Sequence, residues 1–406
     1  MIHICFGLHD KSGRYSKFTG TAMLSLFENS STPPPSTCVH ILHDNTLTQD
    51  NREKFIYIAG RYDQLVKFYN VEELCADKIN KFVELVPAVK NSHVSIGGFY
   101  RLLIPYVLPL DIEKIIYLDS DIVVHRDINE LWNFNLKGKI LAGVSEKTCG
   151  TDTNGLFLCK SGIIKHEEYF NSGVLLINLN LLRNEEKIIM EGAKFRGEHP
   201  ECVCFDQDIL NYAFAKKSLK LPPDFNVFVV HARRRQELLG RKIYHYAGKI
   251  DSFTLGIRDD FYRLWTSYFM KTPWCDEETF GRLYDGFQQI HVELKNSLAK
   301  LSAIMSGKTR AFFTLPHNVE AVKNIFEVHD DEEILLYEND SSLEEFFYAM
   351  KFSQNKKIFF IIFPNFPFDA LTQAGFICGK DFLDGLEFLS AEHDMPLDSY
   401  QLVQAM

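Results

Sequence analysis

The stretch IIYLDSDIVVHRDINELW, residues 115–132, decides how the rest of the chain is interpreted. A short apolar run leads directly into Asp119-Ser120-Asp121, and a second apolar run begins at Ile122. A continuous apolar run is typical of a strand buried on both faces of a parallel sheet. Open α/β sheets bind ligands beyond the carboxyl ends of such strands, where the two carboxylates are predicted to lie. Two hard oxygen donors suit Mg²⁺ or Mn²⁺ with a phosphate substrate, although Asp-x-Asp alone is also common in turns.

Strand and helix patterns alternate along the first part of the chain. Buried strands are predicted at 2–7, 38–44 and 64–70, with amphipathic helices between them at 18–31 and 46–62. This alternation predicts a mostly parallel central sheet with helices on its faces, and therefore an α/β fold.

The same patterns continue to about residue 250. A helix is predicted at 99–109, a β-rich stretch that turns into a helix at 168–182, and a last short strand at 242–248. The helix predicted at 204–214 places Asp206 or Asp208 near its N-terminus, where the positive end of the helix dipole favours a carboxylate.

The composition changes after about residue 275. Residues 278–305 place apolar side chains three or four positions apart, which predicts one long amphipathic helix. Beyond it the patterns alternate as β-α-β-α-β-α, and the last predicted helix is KDFLDGLEFL at 380–389. We therefore predict a first domain at 1–274, a helical connector at 275–306 and a small accessory α/β domain at 307–406.

Composition argues against some classes of function. The formal net charge of −10 disfavours broad nucleic-acid binding, which relies on Lys and Arg at phosphates. The longest apolar run, at 357–368, is interrupted by Pro364, and residues 1–13 lack a signal-peptide pattern. We expect a cytoplasmic protein without a transmembrane segment, free or in peripheral contact with the inner face of the membrane. The nine cysteines have no Cys-x-x-Cys spacing, which predicts free thiols rather than a zinc site.

Five short segments form an ordered set. They are GGFYRLLIPYVLP with Arg101, the stretch at 115–132, YFNSGVLLINL with Asn171, FDQDILN with Asp206 and Gln207, and HYAG with His245 and Gly248. With this combination the chain resembles the family-8 retaining glycosyltransferases over residues 2–270. The resemblance implies a GT-A nucleotide-diphosphosugar transferase fold, a UDP-hexose donor and bound Mn²⁺ or Mg²⁺. The domain at 1–274 would then be the catalytic domain.

The resemblance also implies roles for individual residues. The metal ligands would be Asp119, Asp121 and His245. The catalytic residues around the reacting carbon of the donor sugar would be Asn171, Asp206 and Gln207. The residues that bind the donor would be Gly7, Asp10, Arg101, Asp119, Ser120, Gly248 and Lys249.

The chemistry of glycosyl transfer agrees with these roles. A divalent cation can stabilise the charge that develops on a departing UDP, and a histidine ligand must be neutral to bind it. An amide such as Gln207 suits positioning and weak stabilisation better than a covalent bond. Arg101 can pair with a phosphate or with a carboxylate of the site.

Two segments depart from the family pattern. In the first loop, GLHDKSG, Asp10 is flanked by His9 and Lys11, where acidic residues for the uracil and ribose are common. Asp251 stands where the pattern has Lys. Lys249 or an arginine from HARRRQ, 231–236, could replace that missing cation.

These observations leave three functions open. The first is metal-dependent retaining transfer of glucose or galactose from a UDP-sugar to a glycan, a lipid-linked sugar or a glycoprotein. The second is a catalytically weak module that binds nucleotide-sugar and acts as a partner in a glycan assembly complex. The third is a metal-dependent phosphohydrolase. No pattern in the sequence identifies the acceptor, the donor epimer, the linkage or the oligomeric state.

Overall fold

The computed structural model divides the chain into two compact units, one of residues 1–250 and 267–276 and the other of 251–266 and 277–406. The residues that it describes are 1–13, 15–91, 96–234, 238–247, 260–276, 278–281, 308–314, 316, 319, 322–323, 328–329, 332–336, 340–353, 358–362, 368–376 and 381–384. Most of the predicted connector helix, together with Gly248 and Lys249, lies outside these residues. The predicted domain boundaries therefore stay predictions.

Ten strands lie in the first unit. They are β1 (Ile2–Leu8), β2 (Thr37–His43), β3 (Leu65–Asn70), β4 (Lys114–Leu118), β5 (Ile122–Val124), β6 (Leu141–Ser145), β7 (Phe170–Asn178), β8 (Ser218–Lys220), β9 (Val227–Phe228) and β10 (Ile243–His245). Seven of them form one sheet in the order β3-β2-β1-β4-β7-β6-β8. All neighbours in it are parallel except β7, which is antiparallel to β4 and β6. The predicted mostly parallel α/β sheet is thus confirmed.

Helices connect these strands. They are α1 (Ser16–Glu28), α2 (Gln49–Arg61), α3 (Val71–Leu74), α4 (Ala76–Leu85), α5 (Ile104–Val107), α6 (Ile128–Trp132), α7 (Glu146–Cys149), α8 (Phe157–Lys160), α9 (Leu179–Leu182), α10 (Glu186–Glu198), α11 (Phe205–Phe214), α12 (Val229–Arg234) and α13 (Asp260–Phe269). The helix predicted at 99–109 is instead a 3₁₀ helix, Ile96–Leu103, followed by α5. Within the described part of the chain, no helix is long and apolar enough to cross a membrane.

The Asp-x-Asp stretch lies where the chain leaves one sheet for another. β4 ends at Leu118 in the large sheet, and β5 begins at Ile122 in a small sheet of order β5-β10-β9. Three residues make this change of sheet, which places the two carboxylates at the carboxyl end of a central strand, as predicted. The core beneath them includes the buried aromatic residues Tyr100, Tyr117, Phe170 and Phe214.

The second unit contains a separate parallel sheet. Its strands are β11 (Thr309–Thr314), β12 (Glu333–Leu336), β13 (Ile358–Ile362) and β14 (Phe382–Asp384), in the order β12-β11-β13-β14. Helices α14 (Asp340–Ser353) and α15 (Phe368–Gln373) belong to the same unit, and its core contains Phe313, Phe346 and Phe360.

One element of this unit corrects the sequence analysis. The prediction of a helix at 380–389 is wrong for residues 382–384, because they form β14, in which Phe382 pairs with Phe360 of β13. Periodicity cannot distinguish a short buried strand from a buried helical turn, and here pairing with β13 decides in favour of the strand.

Candidate active site

The backbone fixes the positions of Asp119 and Asp121. The Asp119 N–H donates to the carbonyl oxygen of Gly173 at 2.8 Å, which extends the pairing of β4 with β7 by one residue. The Asp121 carbonyl accepts from the Tyr246 N–H, also at 2.8 Å, directly after the antiparallel pair formed by Ile122 and His245. Each aspartate is therefore held by a different sheet.

Three of the predicted residues come together at this change of sheet. His245 Nε2 lies 3.2 Å from Asp121 Oδ1 and 3.8 Å from Asp119 Oδ2. The ligand atoms of the three side chains lie within 4.8 Å of one another. Burial lowers the pKa of His245, but Asp121 and Asp119 outweigh burial, and the pKa is raised overall. The pair of carboxylates thus favours a positive charge at this position, whether a proton or a metal cation supplies it.

Gly173 leaves room for an ion between these side chains. A Cβ added at Gly173 would overlap the His245 ring and come within 2.8 Å of Asp119 Oδ2. Two carboxylate oxygens and one imidazole are suitable donors for Mn²⁺ or Mg²⁺. Asp119, Asp121 and His245 therefore fit a divalent cation by donor type, by proximity and by the space beside them.

Arg101 lies between two carboxylates. Its Nη2 is 2.7 Å from Asp119 Oδ1 and its Nε is 2.9 Å from Asp206 Oδ2. Its Nη1 donates to the carbonyl of Ser172 at 2.6 Å, and its guanidinium lies 4.5 Å from the centre of the Tyr117 ring. Of the two roles that the sequence left open for Arg101, the structure shows pairing with carboxylates of the site.

Asp206 is a buried acid with an incomplete set of partners. Its Oδ2 is close to Arg101, but no donor is aligned with it as a hydrogen bond. Burial raises the pKa of Asp206 to about 6, against the opposing effect of Arg101. The preceding residue, Phe205, has φ of +40°, a left-handed conformation that is strained for a bulky side chain. This turn at the start of α11 directs Asp206 and Gln207 into the site.

The side chains of Asn171 and Gln207 belong to a chain of hydrogen bonds in which each amide donates to the next one in the same direction. Asn226 Nδ2 donates to Asn171 Oδ1 at 2.7 Å, and Asn171 Nδ2 donates to Gln207 Oε1 at 3.0 Å. The Gly173 N–H donates to Asn171 Oδ1 and the Ser172 N–H donates to Gln207 Oε1, both at 2.9 Å. Because a backbone N–H can only donate, these two bonds fix which end of each amide is oxygen.

The two ends of this amide chain are ionisable side chains. At one end, Asn226 Oδ1 lies 3.0 Å from Nδ1 of His245. At the other, Gln207 Nε2 donates to Glu146 Oε2 across a long 3.4 Å. Burial raises the pKa of Glu146, whose other oxygen accepts from Thr151 Oγ1 at 2.9 Å.

The sequence analysis did not identify three residues of this arrangement as site residues. Glu146 directly follows the buried strand β6, so the rule that singled out Asp119 could also have found it. Gly173 lies inside the segment quoted for Asn171, but nothing in the sequence shows that its missing side chain faces His245. Asn226 follows a 3₁₀ turn, Pro223–Phe225, and no local pattern distinguishes it.

The remaining predicted donor-binding residues lie beside this cluster or outside the described residues. Ser120 is buried and accepts from Thr19 Oγ1 at 2.8 Å. A Cβ at Gly7 would come within 2.8 Å of the Gly97 carbonyl, so close packing of β1 on the 3₁₀ helix requires glycine there. Gly248 and Lys249 lie outside the residues that the structure describes.

Asp10 and its neighbour His9 are engaged within the chain. The Asp10 carboxylate is buried and accepts from the Tyr15 N–H at 2.7 Å and the Ser16 N–H at 2.9 Å, at the start of α1. His9 Nδ1 pairs with the carboxylate of Asp44. Asp10, which follows β1, and Asp44, which follows β2, therefore already have partners in the protein.

Comparison with protein families identifies a match that lies within the first unit. The sequence model of glycosyl transferase family 8 matches residues 5–250. General stress protein A of Bacillus subtilis is 26% identical over 212 residues, which cover 50% of this chain and 68% of that protein. The lipopolysaccharide 1,2-glucosyltransferase of Escherichia coli is 27% identical over 210 residues, which cover 46% of this chain and 52% of that protein. This chain thus spans only about half the length of several relatives that it matches.

Solved structures agree on the fold. The galactosyltransferase LgtC, in complex with donor and acceptor sugar analogs, has a TM-score of 0.54 at 21% identity, covering 70% of this chain and 100% of that chain. The bifunctional glycosyltransferase WbbM has a TM-score of 0.52 at 20% identity, covering 69% of this chain and 51% of that chain. These likenesses confirm the predicted GT-A fold.

Proposed function

The chain belongs to glycosyl transferase family 8, and from that membership we propose that it transfers a hexose, glucose or galactose, from a UDP-sugar. The acceptor is a glycan, a lipid-linked sugar or a glycoprotein, and the anomeric configuration is retained. Mn²⁺ or Mg²⁺ is the proposed cofactor. The observation that carries this proposal is the convergence of Asp119, Asp121 and His245 within 4.8 Å, beside Arg101 and Gln207.

Asp119, Asp121 and His245 would hold the cation, which when bound would offset the negative charge of a departing diphosphate. Arg101 adds a guanidinium fixed by two carboxylates and the Ser172 carbonyl, so it needs no rearrangement to contribute positive charge. Asp206, at the N-terminus of α11, offers oxygens to sugar hydroxyls, because its Oδ2 lacks an aligned donor.

Gln207 is proposed to position the donor rather than to attack it. Its Oε1 accepts from Asn171 Nδ2, the Ser172 N–H and Ser172 Oγ, at 3.0, 2.9 and 3.3 Å. An oxygen with three donors is a poor nucleophile. Its Nε2 has only long contacts, 3.4 Å to Glu146 and 3.5 Å to Tyr169, so this amide N–H is the group with capacity for a substrate.

The proposed reaction is a displacement on one face of the sugar. The bond from the anomeric carbon to the diphosphate oxygen breaks, and its electron pair leaves with UDP. The acceptor hydroxyl forms the new bond on the same face, and its proton passes to the departing phosphate oxygen. No protein nucleophile is required, which agrees with the engaged oxygen of Gln207.

The test is release of UDP from UDP-glucose and UDP-galactose, with Mn²⁺ and with excess chelator, in wild type, Asp121→Asn and Asp77→Asn. Asp77 is exposed in the first turn of α4 and provides a matched loss of charge. We expect Mn²⁺-dependent release in wild type and Asp77→Asn, and a loss of at least about a hundredfold in Asp121→Asn. Equal release by all three proteins, or release unaffected by chelator, would refute the proposal.

A second function has a specific observation in its favour. Because Asp10 in the first loop and Asp44 after β2 are both engaged within the chain, the ends of β1 and β2 offer a nucleoside fewer free carboxylates than the family pattern. A catalytically weak module that binds nucleotide-sugar would need only the cation and diphosphate contacts. Calorimetry that shows tight UDP-sugar binding, without UDP release on any acceptor tested, would favour this function over transfer.

A further inference from the structure

Two histidines and a cysteine, side chains that commonly ligate metals, meet on the central sheet away from the Asp-x-Asp turn. His3 of β1 pairs in register with Cys38 of β2, and His40 lies two residues further along β2. Alternate residues of a strand share a face, so His3, Cys38 and His40 project from the same side of the sheet. His3 and Cys38 are the second residues of β1 and β2, and His40 is the middle residue of β2. Leu8, at the carboxyl end of β1, is five residue steps or about 17 Å from His3, so this cluster is distinct from the candidate active site.

The contacts within the cluster suit coordination. His3 Nδ1 lies 2.9 Å from His40 Nε2, and the ligand atoms of all three side chains lie within 4.8 Å of one another. A tetrahedral zinc ion with ordinary bond lengths separates two imidazole nitrogens by about 3.4 Å and a nitrogen from a sulfur by about 3.6 Å. The two rings need to separate by only about 0.5 Å to admit an ion.

Burial and orientation add to this geometry. His40 and Cys38 are 0% and 1% exposed, and His3 is half-buried, so the cluster is shielded on one side and accessible on the other. His40 Nδ1 lies 3.1 Å from the hydroxyl of Tyr69, which orients the ring with Nε2 toward His3. A histidine ligand in a metal site is oriented in this way through its second nitrogen.

We propose that His3, Cys38 and His40 form a second metal site that binds a zinc-like divalent cation and leaves a fourth position open on the His3 side. One thiolate and two imidazoles form a softer donor set than the Asp-Asp-His cluster, so the two sites select different metals. The ion would join the two adjacent central strands β1 and β2. This proposal does not depend on the proposed transferase activity.

The protonation states of His3, His40 and Cys38 are compatible with metal binding. Burial, together with the positive charge of Lys67, lowers the pKa of His3 and His40, so both rings are neutral as ligands must be. Burial raises the pKa of Cys38, so the thiol is protonated without metal and gives up one proton when the metal–sulfur bond forms. With two neutral imidazoles, that thiolate reduces the charge of the bound site from +2 to +1.

The test uses Co²⁺ as a spectroscopic substitute for zinc in the metal-stripped full-length chain. A thiolate ligand gives cobalt a sulfur-to-metal charge-transfer band in the near ultraviolet, and the Asp119–Asp121–His245 site has no sulfur to produce it. We expect this band in wild type, in Asp121→Asn, and in Cys275→Ser, which removes a half-buried thiol from the same unit. We expect it to be absent in Cys38→Ser and to disappear from wild type when Zn²⁺ is added.

Two results would overturn the proposal: wild type without the band, or Cys38→Ser with it. If Cys38→Ser does not fold, His3→Gln decides the matter, because His3 is at the half-buried rim. His3→Gln should weaken Co²⁺ binding by about tenfold or more, since one of three protein ligands is lost, and should keep the circular dichroism of wild type. Unchanged Co²⁺ affinity in a folded His3→Gln would refute the site.

Discussion

Asn226 Oδ1 lies 3.0 Å from His245 Nδ1, at a distance where the imidazole N–H donates to the amide oxygen. The same amide donates from Nδ2 to Asn171, so its orientation is not free to reverse. This contact leaves Nε2 of His245 as the atom that faces Asp119 and Asp121. A residue outside every motif of the sequence thus selects the tautomer that a metal ligand requires.

Asn226→Ala should weaken Mn²⁺ binding by about tenfold to a hundredfold, the usual effect of losing a partner that orients a ligand. Asn226→Asp is the matched control, because it keeps an acceptor for His245 but cannot donate to Asn171. We expect Asn226→Asp to bind Mn²⁺ with an affinity close to that of wild type, although its hydrogen bond to Asn171 is lost. Titration of Mn²⁺ by calorimetry provides the readout, and identical affinities in wild type and Asn226→Ala would contradict this role.

Gly173→Ala should remove metal binding and UDP release together, because the new Cβ overlaps the His245 ring and approaches Asp119 Oδ2. Overpacking of this kind costs about 1–3 kcal/mol, and here it falls on the ligands themselves. Gly155→Ala is the control, since a Cβ there meets no atom within 4 Å. Mn²⁺ affinity and UDP release should be lost in the first variant and kept in the second. Normal Mn²⁺ binding by Gly173→Ala would show that the space beside His245 is not needed.

Asp206 should make the stability of the metal-free protein depend on pH. Its folded pKa of about 6 lies above the ordinary value of 3.8, so the folded state binds this proton more tightly than the unfolded state. The resulting stabilisation is complete below about pH 4 and is lost as the pH rises through 6. The shift corresponds to a loss of up to about 3 kcal/mol.

Asp206→Asn cannot ionise and removes this dependence. The free energy of unfolding of the variant minus that of wild type should therefore increase between pH 4 and pH 7. Urea unfolding in the presence of chelator measures this difference. The pH-dependent contributions of the carboxylates that both proteins share cancel when one free energy is subtracted from the other. A difference that stays constant over this range would mean that Asp206 is ionised throughout.

The segment that ends at Asp276 should be essential for the first unit. Trp274 Nε1 donates to Asn51 Oδ1 at 2.7 Å, and its ring packs on Phe55 with centroids 5.0 Å apart. The Tyr268 hydroxyl lies 2.7 Å from His125 Nδ1 and from Asn29 Nδ2. We propose that the catalytic domain therefore extends through this segment.

Truncation after residue 276 should leave a folded protein that binds UDP with Mn²⁺. Truncation after residue 250 should lower the melting temperature by at least about 8 °C, since it removes Trp274 and Tyr268 and so costs several kcal/mol. Thermal unfolding of the two fragments and of the full chain makes the comparison. Equal melting temperatures for the two fragments would place the domain boundary before residue 250.

The sequence predicted the fold well where periodicity determines structure. The run 115–118 of β4 has the continuous apolar pattern of a central strand, and the spacing in α2 is that of an amphipathic helix. The apolar spacing in α1 also predicted a helix, although burial extends along most of that helix. Periodicity carries no strand direction, so it could not show that β7 is antiparallel to its neighbours. It also could not show that β5 leaves the sheet of β4, because both runs are equally apolar.

The sequence predicted those residues of the candidate site that lie within short motifs. Asp119, Asp121 and His245 were named as ligands, and the structure places them together. Glu146 and Asn226 reach the same site from segments with no motif, because pairing between distant strands brings them there. The cluster of His3, Cys38 and His40 was missed for a similar reason, since a parallel register joins residues 35 and 37 positions apart.

The amide chain from His245 to Glu146 contains two asparagines and one glutamine, none of which titrates in the range where proteins are stable. Such a chain transmits orientation without conducting protons. The imidazole and the carboxylate at its ends are therefore held in a fixed geometry and exchange no proton through the chain, although the charge of each still shifts the pKa of the other. A change in the protonation of Glu146 therefore acts on His245 through charge alone, while the backbone N–H groups of Ser172 and Gly173 keep the amides in their orientation.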